Sequence, residues 1–260
     1  MALKLSLMWL MPCAIETSNV VSINEFPGVA MPLFKPLITP EVTDMAPGFR
    51  ALSITVQAAA IADPAVGTRA LEQASLAMAR EDAPWADAHL SAWADLFRKF
   101  GAKPQRTPCS AEALRKRVAR DGSLPSIDPV VDLYNAISIE YAIPVGGENL
   151  TTYEGMPRLV VADGSELFDT MKGGEVAHES PEPGEVVWRD DKGVTCRRWN
   201  WRQGVRTRLS VESSMMWFIL ESLPEMPLEA LQAAGNKLIE GIQQMMPGAV
   251  IEQTVIGHVE

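Results

Sequence analysis

The sequence predicts a single α/β (α+β) domain, a mixed sheet flanked by helices, over residues 37–259. Three observations predict it. The chain has 260 residues, 47% hydrophobic and 22% charged, enough apolar length to bury one sizeable core. Segments with apolar residues three and four apart crowd the first half and return near the end. Alternating segments rich in Val, Ile and Thr crowd the second half, and no Gly/Ser-rich linker parts the two.

Residues 1–36 read as an N-terminal extension. The first 14 carry one lysine and an apolar stretch but no signal-peptide cleavage pattern, so they read as an ordered arm or first strand. Pro27, Pro32 and Pro36 break residues 15–37 into strand fragments and loop. Thr39-Pro40-Glu41 starts a short helix, with a cap, a first-position proline and an acid at the positive pole. Pro47-Gly48 stops it. Residues 51–57 alternate and form a strand. Asp63-Pro64 opens a helix running to about Arg80. A second, over 84–100, buries a stripe of Trp85, Leu90, Trp93, Leu96 and Phe97, and Gly101 ends it. Ser110 caps a third, 111–120, with Arg115, Lys116, Arg117 and Arg120 on its exposed face. Ser126 or Asp128 starts a fourth, 129–141, apolar on most sides and so expected at the centre.

Residues 144–150 read as a tight turn and 158–162 as a strand. A hairpin pairs 185–190 with 194–201 through Asp191-Lys192-Gly193. Residues 210–223 read as a helix capped by Ser210, and 227–246 as another, with Leu228, Leu231, Leu238, Ile239 and Ile242 inward. Pro247-Gly248 breaks it before a last strand, 249–259.

Several function classes are excluded. A net charge of −10 argues against a general nucleic-acid coat. No apolar run approaches the ~20 residues of a membrane span. Cys13, Cys109 and Cys196 have no x-x-C partners and read as free thiols of a reducing cytoplasm. His89, His178 and His258 form no H-x-H or H-x-x-x-H pair, so no metal site is expected. There is no P-loop and no G-x-S-x-G elbow. Gly146-Gly147 and Gly173-Gly174 are bare pairs rather than a dinucleotide fingerprint, so no cofactor is expected.

Three constellations remain. Residues 194–209 contain no acid, although the protein is acidic. As a continuing strand, this segment sets Trp199 and Trp201 on one face and Arg198, Asn200 and Arg202 on the other. That makes either an ion-pair network or a site for an anion. Asp132 and Asn135 stand three apart in an apolar helix and need partners. Glu221 ends an apolar helix at the pole that disfavours acids, either in solvent or aimed at a ligand.

The stretches VVDLYNAISIEYAIPVGGENL, RLVVADGSELFD and RRWNWRQGVRTRLS, with a later Leu-Glu, resemble freestanding B3/4-domain proteins. Through them the chain resembles the B3/B4 domain of the bacterial phenylalanyl-tRNA synthetase β subunit. The resemblance spans roughly residues 37–259. It implies an editing site in which a helix Asn, a turn His and a Glu bind tyrosine misattached to tRNA and its ester is hydrolysed. The Asn falls on Asn135 and the Glu on Glu221, which it makes the catalytic pair. The His falls on Gly146, a departure, and Tyr134 replaces a threonine. Tyr134, Gly146 and Gly147 beside the matched positions, and Arg198, Asn200 and Arg202 of the acid-free segment, are the expected substrate contacts. The implied partner is an aminoacyl-tRNA or tRNA 3′ end, deacylated in trans. The alternative is a non-catalytic module for a free amino acid or tRNA 3′ end, with an arginine on the amino acid's carboxylate.

Overall fold

Apolar periodicity and β-branched runs account for most elements of the chain in a computed structural model that describes residues 34–80 and 82–258, whereas the helix caps expected of Thr39 and Ser110 do not form. Most of the N-terminal extension, with Cys13, lies outside the described residues. The others belong to one compact unit. Two sheets, not one, carry the strands. The larger has seven strands, numbered along the chain: β1 (Leu37–Ile38), β4 (Arg158–Val161), β7 (Val186–Arg189), β8 (Val194–Arg197), β5 (Phe168–Lys172) and β6 (Glu175–Glu179) in spatial order, with β9 (Arg202–Gln203) on β8. The smaller is antiparallel throughout: β11 (Val250–Gly257), β2 (Arg50–Gln57), β10 (Met215–Ser222) and β3 (Val145–Asn149). Six helices complete the fold: α1 (Pro40–Met45), α2 (Ala65–Arg80), α3 (Ala86–Lys99), α4 (Ser110–Asp121), α5 (Pro129–Tyr141) and α6 (Leu228–Met245).

The helix expected over 210–223 is instead strand β10, flanked by β2 and β3. Its MMWFILES run is buried on both faces, and a short apolar run does not reveal its period. Strand alternation sorts it. Met216, Phe218 and Leu220 enter a core shared with α5 and α6. Trp217 and Ile219 enter a second core with Trp93 and Phe97 of α3 and Leu159 and Trp188 of the larger sheet. The small sheet is therefore the wall between two cores.

The turn expected over 144–150 is strand β3. Its glycines are there for clearance: a Cβ on Gly147 would stand 2.8 Å from the Tyr134 ring. The 185–201 hairpin forms, but its second strand ends at Arg197. Arg198 and Trp199 take left-handed backbone (φ 47° and 63°), so the alternation expected through Arg202 breaks. The β5–β6 hairpin, turning at Gly173-Gly174 with φ of 63° and 89°, is an addition to the sequence reading.

No residue of α5 is exposed, in line with its apolar circumference. Asp128 caps it, accepting from the Val130 and Val131 amides at 2.9 and 3.3 Å. Asp132 accepts from Ser126 Oγ and, at 2.8 Å, from the Ile127 amide, so its partners are structural. Arg115, expected on an exposed face, is buried instead. Its guanidinium donates to the Ile139 carbonyl and to Asp82, tying α4 to α5.

α2 meets α5 closely at Gly67, where an added Cβ would lie 2.0 Å from the Pro129 carbonyl oxygen. Backbone cannot yield as a side chain does. Gly67→Ala should therefore lower stability by about 2 kcal/mol in urea denaturation. An unchanged midpoint would mean that the two helices part freely.

Candidate functional site

A cavity of about 270 Å³ opens where β3, β10 and the chain after β8 converge beneath α4 and α5. Register builds its floor. Glu148 pairs with Trp217 and Gly146 with Ile219 across β3 and β10. Side chains two apart share a face, so Trp217, Ile219 and Glu221 of β10 stand on one side with Gly146 and Glu148 of β3. All five line the cavity. Gly146 keeps the floor low: a Cβ there would already touch Ile219 at 3.2 Å.

Glu221 is 1% exposed. Its Oε1 accepts from Trp188 Nε1 at 2.8 Å, and its Oε2 accepts from Asn200 Nδ2 at 2.9 Å. Burial pushes its carboxyl up to about 8, against the downward pull of Trp188, Asn200 and Trp199. Glu148, equally enclosed, is also pushed up to about 8 by burial, with Thr207, Gln203 and Arg206 opposing. Sequence reasoning passed over Glu148. The signal was its period-two spacing from Gly146, legible only once the turn is recognised as a strand.

Four buried polar atoms around this site make no hydrogen bond of good geometry: Glu148 Oε2, Trp199 Nε1, Asn200 Oδ1 and Thr207 Oγ1, although Trp199 and Thr207 stand close enough to draw down Glu221 and Glu148 respectively. Native interiors leave few such atoms, because each costs about 1–3 kcal/mol. The first three belong to residues that line the cavity. Asn135 lines it too, half-buried. Trp188, Trp199, Trp201 and Trp217 supply aromatic walls. Cys196 is also in the lining, but burial raises its thiol far above the ordinary range, so it is no thiolate nucleophile.

The structure thus brings together Asn135, Glu221, Tyr134, Gly146, Gly147 and Asn200 around one cavity. It does not bring Arg198 or Arg202 into the lining. The left-handed turn at Arg198 and Trp199 swings both arginines away. The Arg198 guanidinium stacks on Trp201 at 4.5 Å and approaches Glu185 at 3.7 Å. Arg202 donates to Thr170 Oγ1 at 2.6 Å and stands 3.8 Å from Glu179. The turn also parts the two tryptophans: Trp199 is wholly buried and Trp201 only half. Among the described residues, no cluster of His, Cys, Asp and Glu has the size of a metal site, and no helix is long and apolar enough to cross a membrane.

Fold and site define a mixed α/β domain with a cavity whose lining holds two buried acids. The B3/4 domain sequence profile matches residues 92–233, and the chain belongs to the B3/4 domain family. Among solved structures, it is similar to an N-terminal fragment of the phenylalanyl-tRNA synthetase β subunit from Pyrococcus horikoshii. The TM-score is 0.43 at 8% identity, over 85% of this chain and 52% of that one. The chain therefore spans about half that fragment. No curated protein matches it.

Proposed function

We propose that the domain hydrolyses the ester of a mischarged aminoacyl-tRNA in trans. The observation that carries this reading is the meeting of Asn135 and Glu221, 86 residues apart in sequence, in one cavity that also holds unpaired buried polar atoms. These are the two positions onto which the resemblance to the synthetase editing domain carries functional side chains. An aminoacyl ester is already activated. In this reading Asn135 and Glu221 hold the aminoacyl group while water adds to its carbonyl carbon. The carbon–oxygen bond to the ribose then breaks, the ribose oxygen takes one proton from the water, and the acid leaves as carboxylate with its proton passed to solvent. Orientation and fixed dipoles supply the acceleration. Arg198 and Arg202, beside Trp201 and outside the cavity, would meet phosphates of the tRNA 3′ end.

The test is deacylation of a panel of mischarged tRNAs. At least one should be hydrolysed above the buffer rate, and Asn135→Ala and Glu221→Ala should each slow it about tenfold or more. Hydrolysis at the buffer rate for every tRNA overturns the reading. A second reading, binding without catalysis, is favoured by one observation: glycine at 146 leaves no imidazole in the lining. Saturable binding of the same tRNAs without turnover would select it.

A further inference from the structure

The cavity lining contains two acids, Glu148 and Glu221, and no Lys, Arg or His. The two acids lie four residues apart along the β3–β10 register, a separation of about 13 Å. Glu221 has both oxygens engaged, by Trp188 and Asn200. Glu148 does not. It is 4% exposed, and its Oε2 makes no hydrogen bond of good geometry, although the Thr207 and Gln203 side chains stand close enough to draw the carboxyl down. The cations nearby are committed elsewhere. Arg206 donates twice to Asp190 at 2.8 Å and to the Thr152 carbonyl. Arg208, bridged to Glu148 through backbone, turns its Nε to the Gly204 carbonyl at 3.1 Å. Gln203 Nε2 gives one N–H to the Gly147 carbonyl at 2.7 Å, and the neutral Gln203 and Thr207 donors draw the Glu148 carboxyl down without supplying a charge to pair it.

A free acceptor in an aromatic-walled, cation-free cavity suits a positive group and repels a negative one. We propose that Glu148 seats the ammonium of the ligand, and that the cavity takes an amino acid whose carboxyl is masked as ester or amide in preference to the free amino acid. A free carboxylate would enter a desolvated site with acids and no cation to meet it. This deepens the deacylase reading and rests on it: the substrate's ester is admitted, and the carboxylate formed by hydrolysis loses its place. It also removes the arginine that the sequence reading assigned to a free amino acid's carboxylate, since neither Arg198 nor Arg202 lines the cavity.

The test needs no tRNA. Wild-type protein and Glu148→Gln are titrated calorimetrically, at about pH 7.5 where the Glu148 carboxyl, raised to about 8, can pass its proton to a ligand amine, with L-tyrosinamide, L-leucinamide, their N-acetyl derivatives and the two free amino acids. The expected result is that at least one amide binds about tenfold or more tighter than its free acid and its uncharged N-acetyl form, and that Glu148→Gln abolishes the preference over the N-acetyl form. Melting curves accompany each titration. If Glu148→Gln does not fold, Glu148→Asp, which withdraws the carboxyl by one methylene, takes its place with the same expected loss. Equal binding of free acids or N-acetyl amides, retention in the variant of the preference over the N-acetyl form, or no saturation by either amide at millimolar concentration overturns the proposal. Deacylation without amide preference would leave the deacylase reading and remove this one. Amide preference without deacylation would do the reverse.

Discussion

Replacing His89 by leucine should lower the stability of the domain by about 4 kcal/mol, although the two side chains are similar in bulk. His89 is fully buried. Its Nδ1 donates to the Ala142 carbonyl at 2.9 Å, which leaves Nε2 to accept from Trp93 Nε1 and the Leu223 amide, both at 3.1 Å. One neutral ring thus joins α3, the left-handed end of α5 at Ala142 (φ 51°), and the chain just past Glu221. Leucine would orphan two donors and an acceptor in the interior, each worth about 1–3 kcal/mol. The melting temperature should fall by roughly 10 °C for a domain of this size. A loss below about 1 kcal/mol would show that water replaces the ring. The variant should also lose acid sensitivity. Burial lowers the His89 pKa from 6.5 to about 4. The unfolded chain therefore takes up a proton on the way from 6.5 to 4 that the folded one refuses, and wild-type stability drops as pH falls through that window. His89→Leu removes this contribution.

Above that window the cavity acids should dominate. Glu148 and Glu221 have pKa values raised from 4.5 to about 8. A raised acid contributes stability that is complete below its unfolded pKa and is lost as pH climbs through the folded one. Between pH 6.5 and 8 the unfolded chain has already released both protons while the folded chain still holds them. The two together should remove about 3 kcal/mol across this interval. Urea denaturation at several pH values measures it. Glu148→Gln with Glu221→Gln should flatten the profile, because neither amide titrates. A wild-type profile flat from pH 6.5 to 8 would mean that water reaches both carboxyls and their burial is not maintained in solution. A ligand cation at Glu148 should shift the same profile by holding the carboxylate form, which links this measurement to the calorimetric one.

Much of the helical half was legible in the sequence because its signals are local. Asp128-Pro129 caps α5 with its own side chain, and Gly122 ends α4 at φ 82°. The family resemblance likewise rested on contiguous residues, and the profile match over 92–233 covers most of the stretches that carried it. Asn135 and Glu221 stand out in contiguous stretches of the sequence, and they line one cavity.

What the sequence by itself determined is therefore the set of elements with capped ends or a clean period, the family, and the identity of most polar residues around the cavity. Tertiary structure alone decided the rest, wherever a residue's environment comes from distant chain. Met215–Ser222 is a strand because β2 and β3 stand on either side of it; a run apolar on both faces carries no period of its own. Arg115 is buried because Asp82 and the Ile139 carbonyl await it, whereas its helical neighbours suggested solvent. Arg198 and Arg202 leave the cavity because two residues adopt left-handed backbone, a conformation that nothing in an Arg-Trp pair announces. Glu148 shows its free oxygen only after β3 pairs with β10 and the glycines beside it clear the floor. Caps and periods are properties of adjacent residues, while pairing, desolvation and hydrogen-bond satisfaction belong to residues brought together by the fold.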